Sequence, residues 1–163
     1  MNTTTTVQKG VHMKKTVLLA LASLAFASPA LAAETGPRIG VTAGIAGDDI
    51  FDTDEEVFGV EAGYDFALGG AVAGIEASYD DLLEGGDDSV IAIGGRLGAP
   101  VGKTLIYGGA AYANADGDGG YRLSGGVEFG VGKGLLAKVE QRYIDLGHGG
   151  DGFSTVVGVG FRF

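Results

Sequence analysis

The sequence contains no cysteine and no tryptophan, and only 3 of its 163 residues are proline. Without cysteine there is no disulfide framework and no thiolate chemistry, and the count leaves the redox state of the compartment open. Basic residues are also scarce, because 11 lysines and arginines stand against 21 aspartates and glutamates, a formal net charge of −10. This acidic balance argues against nucleic acid as a partner.

Glycine, by contrast, is abundant, with 32 residues, and 45% of the chain is hydrophobic. A high glycine content without a collagen period is compatible with disorder, but hydrophobic residues in regular alternation favour packed strands. The length suits one domain. We therefore expect the glycines to lie in turns and in a crowded interior.

The beginning of the chain has the pattern of a targeting segment. Residues 13–32 combine two lysines, a short apolar run and an Ala-x-Ala site. This pattern predicts a secretory signal peptide that is cleaved after Ala32. A transmembrane helix is the alternative, which the short apolar run and Pro29 disfavour.

Three segments follow from this prediction. Residues 1–12 precede the signal peptide and do not resemble part of it, so we expect a misassigned start, with Met13 as the true first residue. Residues 33–163 then form the mature domain.

The mature chain alternates apolar residues with small or charged ones, which is the period of a β-strand. In its last stretch Phe153, Val157 and Phe161 fall on one face, and small residues with Arg162 on the other. A strand of this length and pattern crosses a bilayer at a tilt, with its apolar face toward lipid. Eight strands are predicted, at residues 37–46, 57–67, 71–80, 89–98, 104–114, 121–131, 135–144 and 153–163.

The fifth predicted strand has the weakest alternation. We place Leu105 and Tyr107 on its outer face and Ile106 and Tyr112 on its inner face.

The predicted connections alternate in character. Those at 67–70, 99–103 and 132–134 are tight, whereas those at 47–56, 81–88, 115–120 and 145–152 are longer and acidic. Short periplasmic turns and longer external loops are typical of an outer-membrane β-barrel, and an even strand count puts both termini on the periplasmic side.

Charged residues sort onto the inner faces of the predicted strands. A nearly balanced set suits a water-poor interior, because an unpaired buried charge costs several kcal/mol. The lipid face carries no charge. The inner set has six cations, Arg38, Arg96, Arg122, Lys138, Arg142 and Arg162, and five anions, Glu61, Asp65, Glu76, Glu128 and Glu140.

Aromatic residues on the outer faces fall into two groups by depth, as membrane-interface girdles do. The turn ends carry Tyr64, Phe66, Tyr107, Phe129, Phe161 and Phe163, and the loop ends carry Phe58, Tyr79, Tyr121, Tyr143 and Phe153. The alternative is the core of a soluble sandwich or a lipocalin-like barrel, which gives no reason for the terminal Phe163.

The chain resembles the small eight-stranded outer-membrane β-barrels of Gram-negative bacteria, in the opacity-protein and surface-antigen group of porin-like barrels. The resemblance spans residues 37–163 and rests on GIEASY at 74–79, GGRLG at 94–98, YRLSGGVE at 121–128, KVEQRYIDLG at 138–147 and GFRF at 160–163.

The resemblance implies an all-β, closed, antiparallel up-and-down transmembrane barrel that follows a cleaved signal peptide and passes the outer membrane many times. It implies contact with outer-membrane lipid and lipopolysaccharide. Insertion would use the barrel-assembly machinery, which would recognise the C-terminal strand through Phe161 and Phe163. Members of the group are adhesins, envelope-stabilising proteins or proteins of no known role.

The sequence is compatible with three functions. An eight-stranded barrel is just wide enough for side chains to fill, so we favour a lumen plugged by Arg38, Glu61, Glu76, Arg96, Arg122, Glu128, Lys138, Glu140, Arg142 and Arg162, with a structural or surface-interaction role. A narrow channel for ions or small solutes is the alternative. A lipid-modifying enzyme is the third, disfavoured because His148, the one histidine of the mature chain, has no nucleophile constellation beside it.

The loops hold 15 of the 21 acids in this reading, Asp48, Asp49, Asp52, Asp54, Glu55, Glu56, Asp80, Asp81, Glu84, Asp87, Asp88, Asp116, Asp118, Asp145 and Asp151. Such clusters are usually only a solvated surface. Beside lipopolysaccharide they are also candidates for bridging Ca²⁺ or Mg²⁺ and for an extracellular ligand. Asp116 and Asp118 are weak divalent-cation candidates, since no bidentate glutamate follows them. We expect a monomer without a cofactor.

Overall fold

The computed structural model describes residues 35–47, 55–82, 89–147 and 150–163. These residues form eight strands: β1 (Gly36–Gly47), β2 (Glu55–Leu68), β3 (Ala71–Leu82), β4 (Ser89–Val101), β5 (Thr104–Ala115), β6 (Asp118–Gly132), β7 (Leu135–Asp145) and β8 (Asp151–Arg162). The predicted signal peptide and the preceding residues lie outside the described part of the chain. No helix among the described residues is long and apolar enough to cross a membrane.

Each strand pairs antiparallel with its neighbours in sequence, and β1 pairs with β8, so the sheet closes as a barrel. At this seam Arg38 lies opposite Arg162, and Gly47 lies opposite Phe153. Because the barrel is closed, no strand has an open edge. An open edge within a bilayer would be unfavourable, since its free N–H and C=O groups would have no hydrogen-bond partners. The prediction of a closed eight-stranded up-and-down barrel is confirmed.

The outer surface of the barrel is apolar. Exposed side chains such as Ile75, Ile93 and Val159 occupy the middle of the strands. No charged residue of the described strands faces outward between the two groups of aromatic side chains. Two polar side chains do so, Gln141 and Thr155, and they hydrogen bond to each other at 2.7 Å, which reduces the cost of placing them in hydrocarbon.

The fifth strand differs from its prediction. Leu105 and Tyr107 are buried in the lumen, while Tyr112 is exposed on the lipid face. The predicted faces of β5 are therefore reversed, and Tyr107 does not belong to the outward-facing aromatic residues at the turn ends of the strands. Both faces of β5 are rich in glycine and alanine, so its sequence alternation carries little information about direction.

The connection between β5 and β6 also differs. The residues predicted as a longer acidic loop, 115–120, form a two-residue hairpin turn at Asp116 and Gly117. Both turn residues have positive φ, 48° and 97°, as in the tight hairpin turns that Asp-Gly favours. At the other end of the barrel, two-residue turns join β2 to β3, β4 to β5 and β6 to β7.

Candidate functional site: the charged lumen

The lumen holds all ten residues of the predicted charge network, together with Asp65 and Asp80. Most are buried: Arg38, Arg96, Arg122 and Arg142 are each 4% exposed, and Glu140 is 1% exposed. Alternation along the strands places them there, because their neighbours in sequence face lipid. Each of these charges has at least two partners of opposite sign within 4.0 Å.

Four of the charges form a ring near the short-turn end, called here the inner ring: Asp65, Arg96, Glu128 and Arg162. Arg96 contacts Asp65 at 2.6 Å and Glu128 at 3.0 Å. Arg162 contacts the same two carboxylates, at 2.8 Å and 2.7 Å. Both arginines thus span the lumen between β2 and β6, and the ring is neutral.

Six further charges alternate in sign around a second ring, called here the outer ring, in the order Arg38, Glu76, Arg122, Asp80, Arg142 and Glu61. Its successive N–O distances are 2.6, 3.8, 2.9, 2.8, 3.8 and 3.5 Å. Arg38 also lies 3.5 Å from Asp65, so the two rings form one continuous network along the lumen.

Glu140 and Lys138 attach to the outer ring from β7. Glu140 accepts hydrogen bonds from Tyr107 Oη and Arg142 Nε, both at 2.5 Å. Lys138 pairs with Glu61 and lies 3.5 Å from Glu140. Tyr107 also lies beneath Arg96, whose Cζ is 5.0 Å from the ring centroid. The misassigned tyrosine is therefore a contact between the two rings.

Asp80 corrects the sequence-based assignment, which counted it among the loop acids. It is 7% exposed and accepts hydrogen bonds from Arg122 and Arg142. The lumen consequently holds six cations and six anions. Its position in the alternation could have predicted this, because Asp80 lies two residues after Ser78 and four after Glu76, on the same inward face of β3.

Glycines on the inner faces make room for the network. A Cβ at Gly126 would lie 2.7 Å from Tyr107 Oη, and one at Gly63 would lie 2.9 Å from Arg38 Nη2. Both distances are shorter than real contacts of this kind. The glycine content of the sequence thus serves a crowded interior, as the composition indicated.

The network separates two cavities. The outer cavity, about 390 Å³, has Asp80, Arg122 and Arg142 among its lining residues. The inner cavity, about 320 Å³, reaches Glu128 and Arg162 from the other end. A third void, beside Arg38 and Lys138 at the β1–β8 seam, measures about 10 Å³, which is barely enough for one water molecule.

The outer rim is acidic. Among the described residues, seven carboxylates lie there without an ion pair: Glu55, Glu56, Asp81, Asp116, Asp118, Asp145 and Asp151. Asp116 is the first residue of the β5–β6 turn and Asp118 follows the turn. No group of three His, Cys, Asp or Glu side chains suited to a metal ion occurs in the described ranges. The other predicted loop acids except Asp80, and also His148, lie outside the described residues.

The remaining predicted site residues lie at the inner end of β8. Phe161 and Phe163 both face outward, and their rings pack edge to face with centroids 5.2 Å apart.

The fold, the apolar outer surface and the charged lumen define a membrane-spanning β-barrel. A family model for the outer membrane protein beta-barrel domain matches residues 18–163. The chain belongs to this family, and its place is the outer membrane, which it crosses with several strands. A comparison with curated proteins finds no match.

Solved structures agree on the fold. The outer membrane enzyme PagL superposes with a TM-score of 0.63 at 10% identity, over 77% of this chain and 99% of that one. The N-terminal β-barrel domain of Pseudomonas aeruginosa OprF gives 0.59 at 14%, over 80% and 100%. Neisserial surface protein A gives 0.54 at 13%, over 78% and 96%. At these identities the likeness shows the fold alone.

Proposed function

We propose that this protein is a non-conducting structural barrel of the outer membrane that presents an acidic surface to the exterior. The observation that carries the proposal is the continuous ion-pair network, which fills the lumen between the two cavities. A barrel of eight strands leaves little interior beyond its side chains. Here those side chains are bound to one another rather than arranged around a water path.

The network also resists opening. Removing one partner of a buried ion pair leaves an uncompensated charge and costs about 3–5 kcal/mol. An open conformer would have to separate several such pairs at once, since each arginine of the inner ring contacts two carboxylates. The closed lumen is accordingly the stable state.

Planar-bilayer recordings on the purified, refolded protein test this proposal. We expect no steady single-channel conductance from the unchanged protein, and none from Glu55→Gln, a matched control at the exposed rim. Steady conductance of the unchanged protein that is abolished or enlarged by Arg96→Gln or Glu128→Gln would overturn the closed-lumen proposal.

A narrow channel is the second candidate, and the two cavities favour it. They approach the ion-pair network from opposite ends of the lumen. The same recordings decide between the candidates. A channel would conduct without any substitution, whereas the closed barrel would conduct at most after part of the network is removed.

We also propose that the protein is not an enzyme. In support, the lumen carboxylates are all held in ion pairs, and the mature chain contains one histidine, His148. Mass spectrometry of lipid A from cells with and without the protein tests this. Loss of an acyl chain that depends on His148 would establish catalysis instead.

The surface role rests on the acidic outer rim, which would stand beside the anionic headgroups of lipopolysaccharide. Carboxylates and phosphates bind hard divalent cations through oxygen, so we infer bridging by Ca²⁺ or Mg²⁺. Binding of lipopolysaccharide to the refolded protein should require the cation. The triple variant Glu55→Gln, Asp81→Asn, Asp118→Asn should weaken it, and unchanged binding would exclude this role.

A further inference from the structure

We propose that the inner cavity binds a small organic anion with an apolar body. This inference goes beyond the proposed structural role and does not depend on it. The cavity of about 320 Å³ opens at the short-turn end of the lumen. Its volume lies at the lower end of the range for small-molecule sites, roughly 300–1,000 Å³.

Part of the wall of this cavity is apolar. Val72, Leu105 and Leu136 point inward from β3, β5 and β7 and are 1%, 8% and 6% exposed. These side chains give the cavity an apolar wall, which the apolar body of a small ligand can contact.

The closed end of the cavity carries the charge that would orient such a ligand. Arg162 lines it, and the side chain of Arg162 is 9% exposed. Its hydrogen bonds to Asp65 and Glu128 both start from Nη2. Its Nε–H is buried and has no acceptor in the described part of the chain. A buried donor without an acceptor is unfavourable, so an additional acceptor near this guanidinium is favourable.

The sign of the ligand follows from the lining residues. Lys103 and Arg162 line the cavity with one carboxylate, Glu128. Glu128 is already paired with Arg96 and Arg162, at 3.0 and 2.7 Å. Arg162 is likewise paired, with Asp65 and Glu128. Lys103 is therefore the charge of the lining without an ion pair among the described residues, and the group that the cavity selects is an anion such as a carboxylate.

The test uses the mature protein in nanodiscs and three probes of equal shape, 4-phenylbutanoate, 4-phenylbutan-1-ol and 4-phenylbutylamine, with binding measured by ligand-observed NMR against empty discs. We expect saturable binding of the acid and at least tenfold weaker binding of the alcohol and the amine. Equal affinities for the three probes, or no saturable binding, would overturn the proposal.

Two variants locate the site. Leu136→Trp fills the cavity and should abolish binding of the acid, whereas Val131→Trp adds the same ring on the lipid face and should leave it unchanged. Lys103→Gln, in an exposed turn, should weaken the acid severalfold and leave the alcohol as it was. Heat-modifiable migration on a detergent gel verifies that each variant is folded. If Leu136→Trp does not fold, the Lys103→Gln variant tests the site. If that variant binds the acid as tightly as the unchanged protein does, the proposed site is refuted.

Discussion

Neighbouring residues on one strand of this barrel meet opposite environments, which makes single substitutions unusually informative. Asp80 and Asp81 are chemically identical and adjacent on β3. Asp80 lies in the lumen between Arg122 and Arg142, and Asp81 lies on the outer rim without an ion pair among the described residues. The same change at the two positions therefore separates the value of the network from that of a surface charge.

We predict that Asp80→Asn destabilises the barrel by about 3 kcal/mol or more, because two buried guanidinium groups lose a charged partner. Asp81→Asn should change the free energy of unfolding by less than about 0.5 kcal/mol. Urea unfolding of both variants in detergent micelles, followed by circular dichroism, measures the difference. Equal effects would mean that the contacts of Asp80 contribute nothing beyond those of a solvated carboxylate.

A second pair of neighbours tests the crowding of the lumen. A Cβ at Gly126 would meet Tyr107 Oη at 2.7 Å and Val139 O at 2.8 Å, whereas one at Gly125 would meet only a carbonyl oxygen at 4.0 Å on the lipid side. We predict that Gly126→Ala costs about 1–3 kcal/mol, the usual range for overpacking. Gly125→Ala should be neutral or slightly stabilising. The same unfolding assay applies, and a neutral Gly126→Ala would show that Tyr107 can move aside freely.

At the scale of the strand, the sequence predicts an element well when its two faces differ in chemistry. β6 and β7 alternate large apolar residues with charges, so their direction was evident. β5 places glycine and alanine on both faces and one tyrosine on each, and its faces were reversed. A contact beyond its paired strands shows the direction of β5, since Tyr107 donates a hydrogen bond to Glu140 on β7.

The ion-pair partners within the network could not be predicted from the sequence either. Alternation assigns Arg96 and Arg162 to the lumen but does not give their height or their reach across it. The closed sheet supplies both, and brings residues from β2, β4, β6 and β8 into the inner ring. Asp80 was missed because a carboxylate at the end of a strand has the same sequence signature as a loop acid.

The turn between β5 and β6 yields a prediction about its two residues. If Asp116 serves turn geometry rather than metal binding, Asp116→Asn should keep stability within about 0.5 kcal/mol, because asparagine also accepts positive φ. Gly117→Ala should cost about 1 kcal/mol or more, since φ is 97° there and a Cβ is strained in that region. Thermal unfolding with and without Ca²⁺ measures both effects. A stabilisation by Ca²⁺ that Asp116→Asn removes would instead make the turn a cation site.

At the scale of the whole molecule, charge is distributed along the barrel axis. The lumen is neutral, the described outer rim holds seven carboxylates, and the inner turns hold Lys103 and Lys133. The sequence adds seven more acids at residues 48–54 and 83–88, in the connections that follow β1 and β3. With the short turns on the periplasmic side, as the sequence predicts, the acidic end is the end that would cross the bilayer during insertion.

This asymmetry predicts how insertion depends on the membrane. An anionic surface repels the acidic end before it enters, so refolding into preformed vesicles rich in phosphatidylglycerol should be slower than into neutral phosphatidylcholine vesicles. Salt should reduce the difference, because the Debye length falls to about 3 Å at 1 M. The heat-modifiable band on a gel, followed over time, gives the rates.

The variant Glu55→Gln, Asp81→Asn, Asp118→Asn should be less sensitive to lipid charge, whereas Lys103→Gln, at the end that does not cross, should retain the full effect. A lipid dependence that is the same in both variants would mean that the charge of the crossing end does not govern insertion.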